Sequence, residues 1–93
     1  MSQNPTSNDP AEQAILALVV ARGPDKSICP TEAARALAGH PPDEKWRASL
    51  SPIRLAAQRL AKAGKIQILR KGKPIAPEDA RGVIRLRLAP AGD

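Results

Sequence analysis

The sequence predicts a single α+β domain in which three helices pack on a small antiparallel β-hairpin. Two patterns carry this reading. Three stretches in the first two thirds of the chain repeat apolar residues at three- and four-residue spacing, and the last third switches to alternation with period two. The length of 93 residues adds a third argument, because a second independent core would need more apolar material than this chain supplies. Hydrophobic residues make up 42 %, but Phe and Tyr are absent and Trp46 is the single aromatic residue. Leu, Ile, Val and Ala must therefore fill the core.

Residues 1–8 are polar, rich in Ser, Asn, Gln and Pro, and read as a disordered tail. Order is expected from Asp9, where Asp9-Pro10-Ala11-Glu12 supplies a cap, a proline at the first helical position and an acid in the first turn. Ala11, Ala14, Ile15, Leu18 and Val19 then form the stripe of a first helix that ends near Ala21, stopped by Gly23-Pro24. Lys26 to Cys29 is extended in character, since Pro30 excludes Cys29 from helical geometry while suiting the first turn of a new helix. This second helix covers residues 30–38, with Ala33, Ala34 and Leu37 on one face and Gly39 as its stop. His40-Pro41-Pro42-Asp43 is a connector, because successive prolines cannot sit inside a helix.

The third helical segment runs from Trp46 to Ala63, with a break expected at Ser51-Pro52, where Ser51 would cap and Pro52 restart the helix. Trp46, Leu50, Ile53, Ala57 and Leu60 share its apolar face, and Gly64 occupies the position that wants a left-handed residue. Ile66 and Ile68, then Ile84, Leu86 and Leu88, alternate with polar neighbours as two strands with one buried face. Residues 71–82, with glycine and proline towards both ends, form the long basic loop between them. Helix, extended piece, helix, helix, strand, loop, strand is the order of a winged helix, the loop being the wing. The domain then covers residues 9–89, and residues 90–93 form a short C-terminal tail.

The function classes narrow on composition. One cysteine and one histidine cannot assemble an ordinary zinc site or an internal disulfide, and a reducing, cytoplasmic setting is expected. The polar N-terminus lacks the pattern of a signal peptide, and no run approaches the roughly 20 apolar residues of a membrane span. The acidic pairs Asp43-Glu44 and Glu78-Asp79 are sequence neighbours that normally point apart, and no nucleophile motif or Gly-rich phosphate loop accompanies them. No enzyme activity and no cofactor is expected.

Several stretches also resemble a known family. Gly23-Pro24-Asp25-Lys26-Ser27-Ile28-Cys29-Pro30, Trp46-Arg47, Arg59-Leu60-Ala61-Lys62-Ala63-Gly64-Lys65-Ile66, Lys71-Gly72-Lys73-Pro74 and Ala80-Arg81-Gly82-Val83-Ile84-Arg85-Leu86 are similar to the bacterial family named domain of unknown function 3253. The resemblance covers about residues 10–88 and implies a winged-helix-like fold. It implies no activity and no site residues.

Charge points to a partner class. Residues 1–45 carry four basic against six acidic groups, a net −2, whereas residues 46–93 carry eleven against three, a net +8. An anionic partner meets the second half first. The outward face of the third helix carries Ser51, Arg54, Leu55, Gln58, Arg59 and Lys62. Arg and Gln suit base edges, and Lys and Ser suit phosphates. Lys71 and Lys73 in the loop and Arg85 and Arg87 in the last strand extend the same positive footprint. These residues make double-stranded DNA the first candidate partner, in a transcription-related role. The bland counterparts are a solvated helix face and a charge-protected edge hairpin. A protein-interaction adaptor built around Leu55 is the alternative, because an apolar residue in the middle of that face is unusual for a purely solvating surface. Trp46 falls on the apolar face and is expected in the core rather than as a stacking platform for single strands. Cys29, at a helix start, is expected to pack or cap rather than react, and Arg81 to pair with Glu78 or Asp79. The domain has no spare apolar helix for a seam, so a monomer or weak homodimer is expected.

Overall fold

A computed structural model describes residues 9–90; the expected tail at residues 1–8 and the last three residues of the C-terminal tail lie outside them. Of three helices, α1 (Pro10–Arg22), α2 (Pro30–Leu37) and α3 (Leu50–Lys62), the first and third pack on one face of a four-stranded antiparallel sheet, and α2 packs against both of them. The strands are β1 (Ser27–Ile28), β2 (Ile66–Arg70), β3 (Lys73–Ile75) and β4 (Arg85–Leu88), in the spatial order β1-β4-β2-β3. No helix among the described residues is long and apolar enough to cross a membrane.

Local chemistry sets the helix boundaries. Asp9 Oδ1 accepts the Ala11 N–H at 3.0 Å, and Pro10 occupies the first helical position, where its missing N–H costs nothing. Cys29 is the N-cap residue of α2, and Glu32, three positions into the helix, accepts the Cys29 N–H at 3.0 Å. The other oxygen of Glu32 accepts from Arg22 at 2.6 Å, and Arg22 also donates to the Ser27 carbonyl at 3.1 Å. The end of α1, β1 and the start of α2 are thus tied together by two side chains. α3 closes in a Schellman motif: Gly64, at φ +78°, lets Lys65 N–H reach the Leu60 carbonyl and its own N–H reach that of Ala61, both at 3.0 Å.

The break in the third helical segment falls earlier than the sequence suggested. A 3-10 helix covers Glu44–Ser49, started by Asp43, which accepts the Lys45 N–H at 3.0 Å, and α3 begins at Leu50. Ser51 and Pro52 are both inside its first turn. A proline there removes only an N–H that the helix leaves unpaired, so the chain has no reason to break at it. The expected long loop also differs. Lys73–Ile75 returns along β2 as β3, in register Arg70↔Lys73, Leu69↔Pro74 and Ile68↔Ile75, and Pro77–Asp79 forms one 3-10 turn. β3 is an edge strand, where Pro74 can sit without breaking a ladder.

The core follows from the sheet register. Ile28 faces Leu86, Leu86 faces Ile68 and Ile68 faces Ile75, a row crossing all four strands on the face towards the helices. Ile15 and Val19 of α1, Ala33 and Ala34 of α2, and Ile53, Ala56, Ala57 and Leu60 of α3 are buried in the same cluster. Small side chains let the helix axes come close without aromatic filling. Trp46 is half-buried against this cluster, with the guanidinium carbons of Arg35 and Arg47 each 5.0 Å from its ring centroid. The core role expected for it holds in part, with two cations covering the rest.

A polar clamp joins α1 to α3. Arg59 Nε donates to Glu12 Oε2 at 2.7 Å, and its Nη2 to Asp9 Oδ2, so Asp9 both caps α1 and binds α3. The hydrogen bond to Glu12, helped by the charges of Glu12 and Asp9 and by the hydrogen bond to Asp9, raises the Arg59 pKa against the opposing effect of burial. A raised pKa stabilises the fold while the guanidinium is charged and its carboxylate partners are ionised, so this contribution is constant through the neutral range.

Three substitutions test this account. Ile68→Ala removes the centre of the apolar row, and chemical denaturation should show a loss of about 3 kcal/mol, whereas Leu55→Ala on the exposed face should stay within about 0.5 kcal/mol. Arg59→Ala should cost about 1 kcal/mol at low salt, seen as a fall in Tm of about 4–8 °C that shrinks as salt is added. Equal losses for Ile68→Ala and Leu55→Ala would contradict the register.

Candidate functional site

The residues singled out for charge separate into two groups once their partners are seen. Ser51, Leu55 and Lys62 are exposed on the side of α3 away from the core, with Leu55 55 % exposed and Arg54 and Gln58 half-buried beside them. Lys71 and Lys73 are exposed at the β2–β3 turn. None of Arg54, Lys62, Lys71 and Lys73 has an ion-pair partner among the described residues. Arg59, Arg85 and Arg87 are engaged inside the domain. Arg59 sits in the clamp above; Arg85 donates from Nε to Ser27 Oγ at 2.6 Å and from Nη2 to the Ser27 carbonyl at 3.0 Å. Arg87 donates to Oε1 of Gln67, its direct cross-strand neighbour, at 3.1 and 2.5 Å. These arginines cross-link β1, β2 and β4 on the outer face of the sheet.

Arg81 was expected to pair with Glu78 or Asp79, and the ion pairs of the described residues do not include it. The loop is held through its backbone instead. Arg70 Nη2 donates to the Asp79 carbonyl at 2.6 Å and to the Arg81 carbonyl at 3.1 Å, so the end of β2 pins the segment that leads back into β4.

The β2–β3 turn has a backbone cost that its sequence does not explain. Lys71 and Gly72 have φ of +53° and +81°, both in the left-handed region, as a two-residue type I′ hairpin turn requires. Gly72 accepts this freely, whereas lysine at the first position is disfavoured by roughly 1 kcal/mol. A cation is held at the tip of the hairpin at the expense of local stability.

Ion pairing divides the domain. Among the described residues the carboxylates that form ion pairs are Asp9, Glu12, Glu32 and Glu44, and the cations they neutralise are Arg22, Arg47 and Arg59. After Arg59 the described chain holds eight cations, Lys62, Lys65, Arg70, Lys71, Lys73, Arg81, Arg85 and Arg87, against Glu78 and Asp79, and none of the eight is in an ion pair. The excess positive field inferred from the sequence therefore survives folding.

Leu69 and Val83 are two apolar residues outside the expected core positions. Leu69 is 5 % exposed yet lies on the outer face of the sheet, and Val83, just before β4, is 90 % exposed. The signal for Leu69 was present: it interrupts the Ile66, Ile68 alternation, so one apolar residue of β2 must face away from the helices.

Among curated proteins no sequence matches the chain. The model of one family, described as Protein of unknown function (DUF3253), matches residues 8–89, which is nearly the whole chain, and the protein belongs to that family.

Proposed function

We propose that the chain is a winged-helix domain that binds double-stranded DNA, with α3 in the major groove and the β2–β3 turn against the backbone. The order of α1, β1, α2, α3, β2 and β4, with β4 between β1 and β2, is compatible with that fold, and β3 is an addition within its wing. The observation that carries the binding proposal is the absence of ion pairing among the eight cations that follow Arg59 in the described chain. Unneutralised cations gain most from a polyanion, because each phosphate contact releases a condensed counterion. Arg54 and Gln58 would read base edges, while Ser51, Lys62, Lys71 and Lys73 would meet phosphates. Arg85 and Arg87 contribute charge from fixed positions, whereas Arg59, expected on the same footprint, is neutralised by Asp9 and Glu12. On this reading the domain needs no catalytic group or cofactor and works in the cytoplasm as a monomer or weak dimer.

The exposure of Leu55 favours a second reading, a protein-interaction adaptor. Under it, Leu55→Ala abolishes capture of a protein partner, while Arg54→Ala and Lys62→Ala leave capture unchanged.

Fluorescence anisotropy of a labelled random-sequence duplex tests the DNA reading. About micromolar binding that weakens steeply with salt is expected. Lys71→Asn separates charge from fold, because asparagine suits the left-handed turn position: it should keep or raise Tm while weakening binding and reducing the salt slope by about one. No binding at low salt would sink the proposal and leave the adaptor.

A further inference from the structure

The outer face of the sheet, which takes no part in packing the helices, carries an apolar floor ringed by cations. Leu69 lies there opposite Arg85 of β4 and Pro74 of β3. The chain between the 3-10 turn and β4 passes beside it, held by the two hydrogen bonds from Arg70. Between this segment, the sheet and the β2–β3 turn runs a groove of ≈590 Å³. That volume is within the range of small-molecule sites, about 300–1,000 Å³.

Val83 supplies its exposed apolar surface with the buried Leu69 at its base, Gly72 and Gly82 leave its ends open, and Arg70, Lys71, Arg81 and Arg85 stand around it. No carboxylate lines it. Two of the four cations are fixed in place by the protein itself, Arg70 by the carbonyls of Asp79 and Arg81, and Arg85 by Ser27. A guanidinium already immobilised loses little further entropy when it binds an anion. Neither bond set uses the whole guanidinium: Nη1 of both arginines has no acceptor among the described residues. Lys71 and Arg81 have no side-chain acceptor there at all.

We propose that this groove binds a small amphipathic oxyanion, a carboxylate or phosphate monoester on an apolar body. The body covers Val83, above the buried Leu69, and the head group takes hydrogen bonds from the surrounding guanidinium and ammonium groups, which match either oxyanion. The apolar part is needed because a cation cluster alone would accept any phosphate. The cations are needed because an uncharged hydrocarbon would leave them without a counterpart. This site stands on its own geometry and does not depend on the DNA-binding proposal.

Calorimetric titration of the full chain with decanoate and with decyl phosphate, below their micelle concentrations, tests the site. Decan-1-ol and inorganic phosphate serve as the two half-ligands. Saturable one-site binding of at least one amphiphile is expected, with neither half-ligand binding comparably, and the tighter amphiphile identifies the head group. Amide shifts should centre on Leu69, Gly72, Gly82 and Val83. Val83→Asp and Arg81→Ala alter exposed side chains, so both should melt like the parent, and each should weaken binding by about tenfold or more, Arg81→Ala through one lost charge-assisted hydrogen bond and Val83→Asp through a like charge set against the ligand. Phosphate binding as well as the amphiphiles would reduce the groove to a bare anion patch, and decan-1-ol doing so would reduce it to an apolar one. Unchanged affinity in both variants, or shifts at these amides with a DNA duplex but not with the amphiphiles, would overturn the proposal.

Discussion

The cross-strand row Ile28–Leu86–Ile68–Ile75 is the constraint on which the domain depends. Its burial decides which edge of every strand is inside. Because side chains alternate along a strand, fixing that row sends Ser27, Gln67, Leu69, Arg85 and Arg87 to the opposite face, and a one-residue slip would reverse both sets. The row also explains why two residues suffice for β1: Ile28 is fully buried under the helices, and Ser27 receives Arg85 on the other side. Hydrophobic burial thereby positions the polar outer face without any contact between the two.

A second division follows from charge. Carboxylates cluster where helices meet, with Asp9 and Glu12 holding Arg59, and Glu32 holding Arg22. Each closes a junction between two helices, α1 with α3 and α1 with α2, so these acidic groups are used in assembling the helical half. The sheet half is assembled by hydrocarbon and by arginine bonds to carbonyl, hydroxyl and amide oxygens, none of which cancels a charge. The positive surface is a consequence of how each half is held together. The left-handed Lys71 adds to it at a backbone cost.

Much of this was legible in the sequence because the signals are local. Pro10 and Pro30 mark helix starts, Gly64 marks a stop, and the switch of period at Ile66 marks the sheet. The start of α3 differs from the sequence expectation, since a proline suits the first positions of a helix and the third alike, so Ser51-Pro52 reads as a start when it lies inside the first turn. β3 was hidden by its three-residue length and by Pro74, which reads as loop unless the strand is known to lie at an edge. The partners of Arg59 and Arg85 lie about fifty residues away in the chain, and no local pattern announces them. The groove was invisible for the same reason: Leu69, Arg81 and Arg85 meet only after β2 and β4 have paired.

The account's central claim is that the cations left unneutralised by folding form one working surface with the solvent side of α3. Amide chemical-shift mapping during titration with a short DNA duplex tests it most directly. The account predicts perturbations concentrated at Ser51, Arg54, Gln58 and Lys62 and at Lys71 to Lys73, with α1 and α2 quiet and the shifts reversed by salt. Perturbations spread over α1 and α2, or none at low salt, would contradict it.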